Sequence, residues 1–405
     1  MDMSHNSLTQ ANYIRQSLAH DKRPLGIFLG AGCPVAIKNS DKQPLIPDIA
    51  GITKIVCERL LRSQHKEYFN QLVKNLESDG KKDPDVEEML GQIRSLRYVV
   101  GREMVRGLTC DQLDNLDQEI CQIIFDIVNK SLPGAGSPYH KVASWIGSRN
   151  GTDPVEVFTP NYDLLMEQAF EETRVPYFDG FIGSNRTFFD PHAMEEDKLP
   201  ARWSRLWKLH GSVNWRQDEK GNVSRGENCT HEQRRVIHPS HLKYDQSRKM
   251  PYLAMIDRLR AFLKKPQAVL IMCGYSFRDD HLNEIMVQGL QGNATAIIFS
   301  LLFGKLEQYQ KAVNLAITRT NLSLLAKDAA VISGRRTEWL RQEFTSRSES
   351  IAVQWAEQDG SGKKERLKQA SFMLGDFLTF GSFLEDLIGG YEKEPVSEGS
   401  TAHAS

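Results

Sequence analysis

Closely spaced cysteines are missing from this chain. Cys33, Cys57, Cys110, Cys121, Cys229 and Cys273 are scattered, with no C-x-x-C pair among them, which excludes a structural zinc site built from cysteine pairs. With no export signal in view, the six are expected as reduced thiols, several of them at apolar positions. Long apolar runs are missing too: none approaches the ~18 residues that a membrane-spanning helix needs. The first segment, Met1–His20, is polar and lacks the apolar centre of a signal peptide. Cytoplasmic residence without membrane contact is the resulting expectation. Nor is there an excess of one charge, because 51 Lys and Arg stand against 52 Asp and Glu, a formal net charge of −1. Nonspecific nucleic-acid binding rests on several cation–phosphate contacts and usually shows as a basic excess. No direct nucleic-acid binding is expected, although a local basic patch is left open.

The chain has 405 residues, 25% of them charged and 40% hydrophobic. That is the composition of a soluble globular protein, long enough for a core domain with additions. Pro24–Gly30 reads as a strand with Ile27, Phe28 and Leu29 at its centre. From Ile52 to Leu132 the pattern turns helical, with Ile52, Ile55, Val56 and Leu60, then Ile120, Ile123, Ile124, Ile127 and Val128, at helical spacing. Between them Asp83-Pro84 reads as an N-cap and first-turn proline for a helix through Val100. Strands return at Pro154–Thr159 and Arg205–Leu209. Ala268–Cys273 is a continuous apolar run, the mark of a strand buried on both faces. A helix over Asp279–Leu290, a strand over Thr295–Ser300 and a helix around Leu306–Ile317 follow. Short apolar segments at Leu322–Leu325 and Ala329–Ile332 complete the series. Alternating strands and helices predict an α/β fold, a parallel sheet covered on both faces. Residues 1–345 are expected as the core domain, with a helical insertion over about 51–132. Residues 346–405 are expected as a linker (Gln358–Arg366), one amphipathic helix over Leu367–Leu387 and a disordered tail from Gly389.

Four strand ends carry the chemistry. Gly30-Ala31-Gly32 follows the first strand, where glycines let backbone N–H groups approach a pyrophosphate; a tight structural turn explains the same residues equally well. The full dehydrogenase fingerprint is absent, since Val35 stands where its third glycine would be. Thr159-Pro160-Asn161-Tyr162-Asp163 closes the next strand, with Asn161 and Asp163 placed to enter one crevice or, alternatively, to bond their own turn. Lys208-Leu209-His210-Gly211-Ser212 closes the third, and His210 is the residue type suited to general-base work near neutral pH. Cys273-Gly274-Tyr275-Ser276-Phe277-Arg278-Asp279-Asp280-His281 closes the buried strand. There Gly274 and Ser276 are candidates for ribose or phosphate contact and Asp279 for a helix cap. Asp279 and Asp280 can equally be helix-start acids favoured by the dipole, and for Asp280 that reading and a place in the site are left open.

Taken in order, GAG, T-x-N-x-D, LHGS and GYSF-x-D-x-H-L resemble the bacterial sirtuin-like NAD-binding family over roughly Leu25–Leu340. The resemblance implies a Rossmann-like parallel sheet of the sirtuin type. It implies that Gly30, Ala31 and Gly32 hold the NAD phosphates, that Asn161 orders the nicotinamide ribose and a water, and that His210 is the catalytic base. Asp163 would approach the nicotinamide carboxamide. Ile46-Pro47-Asp48 is similar to a segment of the family's flexible cofactor loop, which puts Asp48 among the cofactor-binding candidates.

The departures matter as much. Protein-deacylating sirtuins carry two cysteine pairs holding zinc beside the acyl-lysine channel, and here the helical insertion stands instead. That combination resembles the sirtuin-like effectors of bacterial antiphage defence, which hydrolyse NAD+; length, insertion and C-terminal extension most resemble the subunit that assembles with a HerA-type ATPase. The expectation is an NAD+ hydrolase with NAD+ as substrate, no separate cofactor and no metal. A homo-oligomer with a HerA-type ATPase partner is expected as well, with Phe372, Phe377 and Phe380 either packed on the parent domain or lying at an interface. A protein deacylase and a non-catalytic NAD or ADP-ribose sensor are the alternatives.

Overall fold

A computed structural model describes residues 5–389, except 102, 150, 152, 186, 197, 201, 219, 227–233, 238–250, 344–349 and 357–366. The Gln358–Arg366 linker, Cys229 and nearly all of the tail from Gly389 thus lie outside the described residues. Among those described, nine strands form one sheet: β1 (Leu25–Leu29), β2 (Glu156–Thr159), β3 (Tyr177–Phe178), β4 (Ser204–Lys208), β5 (Val269–Cys273), β6 (Ile297–Leu301), β7 (Leu322–Leu325), β8 (Ala329–Ile332) and β9 (Arg335–Glu338). Their spatial order is β9-β8-β7-β6-β5-β1-β2-β4-β3. Seven strands run parallel, and β8 and β9 add an antiparallel edge. The expected Rossmann-like α/β sheet is therefore present.

The sheet is covered on both faces because successive side chains alternate between them. Ile27, Val157, Leu206 and Ile271 join one core, while Phe28, Phe158, Trp207 and Met272 join the other. From β1 the chain moves out toward β2, and from β5 it moves the opposite way toward β6. The crevice beyond the carboxyl ends of β1 and β5 is the topological switch point, where sheets of this kind bind ligands.

The helical insertion consists of α2 (Ile49–Leu60), α3 (Lys66–Ser78), α4 (Val86–Val99) and α5 (Cys110–Val128), and α1 (Ser7–Ala19) precedes β1. The cap of α4 is Asp85 rather than Asp83: its side chain accepts from Glu88 N, and Glu88 reaches back to Asp85 N in a capping box. That reciprocal pair satisfies two otherwise orphaned donors, which Asp83, at φ 52, is not placed to do. Arg94–Asp117 (2.7 Å) and Arg97–Asp114 (2.8 Å) pin α4 to α5.

The C-terminal segment departs from the single helix expected over Leu367–Leu387. Ala370–Phe372 forms a strand antiparallel to Val353–Trp355, and only Phe377–Leu387 (α8) is helical. Asp376 supplies the cap that starts it. Just before it, a Cβ on Gly375 would lie 2.0 Å from the Leu302 carbonyl oxygen, so the two backbones meet there at the carboxyl end of β6, too closely for a side chain at 375. Phe372 stacks on Trp339, and Phe377 meets Tyr139 of α6 (Pro138–Gly147) edge-on. With Phe380 they are buried within the chain, which rules out the interface reading for these three residues.

Candidate functional site

The carboxyl end of β1 and that of β5 cross at near contact. Gly30 N donates to Cys273 O (2.9 Å) and Gly32 N to Gly274 O (2.8 Å). A Cβ on Gly30 would sit 2.3 Å from the Gly274 oxygen, and one on Gly32 would sit 2.9 Å from the Gly274 Cα. Gly274 itself has φ +71, in the left-handed region that glycine adopts without penalty. The glycines thus serve the crossing of two loops. We expect Gly30→Ala to force those loops apart, costing about 1–3 kcal/mol as overpacking does and loosening the site; a thermal melt beside a nucleotide titration reads both effects.

Beyond the crossing lies a cavity of about 470 Å³, within the range of small-molecule sites. Ala31, Gly32, Asp48, Asn161, Asp163, His210, Gly274 and Ser276 line it. The fold therefore gathers all the candidate site residues but Gly30, which is set behind them. The helical insertion contributes a wall that sequence reasoning missed: Ile49 and Ile52 of α2, Val128 of α5, and Asp85 and Glu87 at the start of α4. Glu87 accepts a hydrogen bond from Tyr162 OH (3.3 Å), joining the insertion to the T-x-N-x-D segment. Arg278 adds a cation to the same lining.

Local hydrogen bonds hold several of the polar groups. Thr159 Oγ1 donates to Leu29 O (2.8 Å) and accepts from Asn161 N (3.1 Å), tying the end of β2 to that of β1. Asn161 Nδ2 donates to Gly30 O (3.1 Å). Among the described residues its Oδ1 meets no protein donor, so it can accept from a hydroxyl or a water. His210 Nε2 pairs with Asp279 Oδ2 at 2.9 Å, with both side chains largely buried. Asp279 caps α7 (Asp280–Gly292) through its other oxygen, which accepts from His281 N and Leu282 N. The sequence suggests the cap; the histidine contact, across 69 positions, has no local signal. Phe277 at φ 58 turns the loop so that Ser276 and Arg278 reach the cavity, a strained conformation for a bulky residue. Asp280 lies on the surface with Lys311, as a helix-start acid would.

Behind Asp163 the polar interior continues. Lys208 Nζ donates to the Asp163 carbonyl and pairs with Glu167 at 3.2 Å. Burial raises the carboxyls of both Asp163 and Glu167, and Lys208 opposes the rise. The Tyr139 hydroxyl is buried without a partner among the described residues, and burial pushes its pKa up. The Cys33 thiol is likewise raised by burial and donates to Cys273 O at 3.3 Å.

Comparison with curated proteins finds no match. Among solved structures, one described as "Structural Basis for the Mechanism and Regulation of Sir2 Enzymes" is 11% identical, with 73% of this chain and 86% of that chain covered at a TM-score of 0.35. The stretch that holds Asn161, Asp163, His210, Gly274 and Ser276 is the one a family model recognises: residues 155–321, under half of the chain, match the SIR2-like domain.

Proposed function

We propose that this chain hydrolyses NAD+ at the nicotinamide–ribose bond, giving nicotinamide and ADP-ribose. The observation that carries the reading is the meeting of Asn161 and His210 in one cavity with the Ala31–Gly32 and Gly274–Ser276 loops at the switch point of the sheet. The SIR2-like match over 155–321 supports NAD+ as the ligand.

The chemistry asks little of the protein. Nicotinamide leaves from a cationic pyridinium, so the C1′–N bond breaks through an oxocarbenium-like state, as in glycoside hydrolysis, and its electron pair neutralises the departing ring. Asn161 Oδ1 holds the ribose and the incoming water. The water oxygen bonds C1′, and His210 takes the proton. Asp85 and Glu87 add negative charge to the cavity wall, which favours the cationic transition state. Ile49, Ile52 and Val128 close that wall with apolar surface. A pocket finished in this way by the insertion, in a chain without zinc-binding cysteine pairs, supports hydrolysis over protein deacylation. Nicotinamide release that proceeds at the same rate with and without an acyl-lysine peptide is the expected result. Release that requires the peptide would make the chain a deacylase, and binding without release would make it a sensor.

The wider role rests on the motif resemblance. As an effector of antiphage defence the chain would deplete NAD+, and such an activity needs restraint. We place that restraint in homo-oligomer assembly with a HerA-type ATPase. The insertion leaves Tyr98, Val99 and Met104 exposed, and specific interfaces bury about 1,200–2,000 Å² in total. Light scattering is expected to find an oligomer at micromolar concentration; a strict monomer with full NAD+ cleavage and no partner would defeat this part.

A further inference from the structure

The ring of His210 has two nitrogens, and the fold treats them differently. Nε2 lies 2.9 Å from Asp279 Oδ2. The Asp279 carboxylate is itself fixed, because Oδ1 accepts from His281 N (2.9 Å) and Leu282 N (3.1 Å) at the start of α7. Two backbone donors on Oδ1 favour the ionised carboxylate, which only accepts, so in the Asp279 pair the ring is the donor. Among the described residues His210 Nδ1 has no partner.

We infer that Asp279 is a positioning residue that locks His210 in the tautomer with its proton on Nε2, leaving Nδ1 as the nitrogen that takes the proton from water. A carboxylate hydrogen-bonded to the far side of a histidine ring and setting its tautomer is a recurring device. Here it is built from a helix cap, so the orientation of the base depends on a residue already needed to start α7. For its catalytic half the inference rests on the hydrolase reading; its structural half does not.

The experiment uses the full chain with ¹⁵N-labelled histidine. Two-bond nitrogen–proton correlations, recorded where the ring is neutral, report which nitrogen carries the proton without any need for turnover. Wild type is expected to show the proton on Nε2 of His210. In Asp279→Asn, the amide oxygen keeps the cap while the amide nitrogen becomes a donor to Nε2, so the proton is expected to move to Nδ1. Nicotinamide release should then fall about 10²-fold or more in kcat with KM little changed, since the lost function is proton transfer and not binding. Asp279→Ser also keeps a cap acceptor, and should lose the fixed tautomer while its circular dichroism stays that of wild type. A wild-type ring with the proton on Nδ1, or an Asp279→Asn ring that keeps it on Nε2, overturns the inference. If the tautomer moves as expected but wild type releases no nicotinamide, the positioning role stands and the hydrolase reading falls.

Discussion

Replacing His210 with alanine is expected to lower nicotinamide release by about 10²–10⁴-fold, the usual worth of a general base, and to leave the protein folded. Asp279 still caps α7 through its other oxygen when the imidazole is gone, so the helix keeps its start. Asn161→Ala is expected to lose at least about 10²-fold, because a misplaced water costs that much even when the base is intact. Its Nδ2 bond to Gly30 O is one contact in a loop already held by Thr159, so the fold should survive that change as well. Melting curves and nicotinamide release measured on the same preparations separate lost chemistry from lost structure. Wild-type turnover in either variant would remove that residue from the mechanism.

The second large effect is on stability, and it depends on pH. Lys208 is buried between the Asp163 carbonyl and the Glu167 carboxylate. Lys208→Met removes the ion-pair partner of Glu167 and the positive charge that opposes burial of the Asp163 carboxyl, and breaking a buried pair in this way costs about 3–5 kcal/mol. The sign with pH follows from the raised carboxyls. A carboxyl raised in the folded state keeps its proton over a window where the unfolded chain has lost it, so stability falls as pH rises through that window. Removing Lys208 raises both carboxyls further and extends the window upward. The penalty of Lys208→Met should therefore be largest at neutral to alkaline pH and shrink on mild acidification, as urea melts at several pH values would read. A penalty that does not change with pH would mean that the buried carboxyls are not what Lys208 compensates.

Much of the candidate site was legible in the sequence because its parts lie at strand ends. A buried apolar run followed by glycine or a polar cluster marks where a parallel sheet delivers side chains to a crevice, and Gly30–Gly32, Asn161, His210 and Gly274–Ser276 all carry that mark. What was not legible comes from contacts between distant segments. The wall supplied by Ile49, Ile52, Glu87 and Val128 requires knowing how the insertion folds back, and helical spacing reports a helix but not its neighbour. The Asp279–His210 pair joins the loops after β5 and β4, strands that β1 and β2 separate in the sheet, so neither sequence spacing nor strand pairing announces it. In the C-terminal segment, Phe372, Phe377, Phe380 and Leu384 fall near helical spacing, yet Gly375 and Asp376 break it. A glycine at a backbone crossing followed by a capping aspartate was the available sign that two elements, and not one, lie there.

Purified chain incubated with NAD+, alone and with a HerA-type ATPase, and resolved by chromatography gives the most direct test of the central claim. Hydrolysis predicts nicotinamide and ADP-ribose appearing in equal amounts with no peptide present, and their loss in the His210 and Asn161 variants. NAD+ that stays intact under both conditions would contradict it.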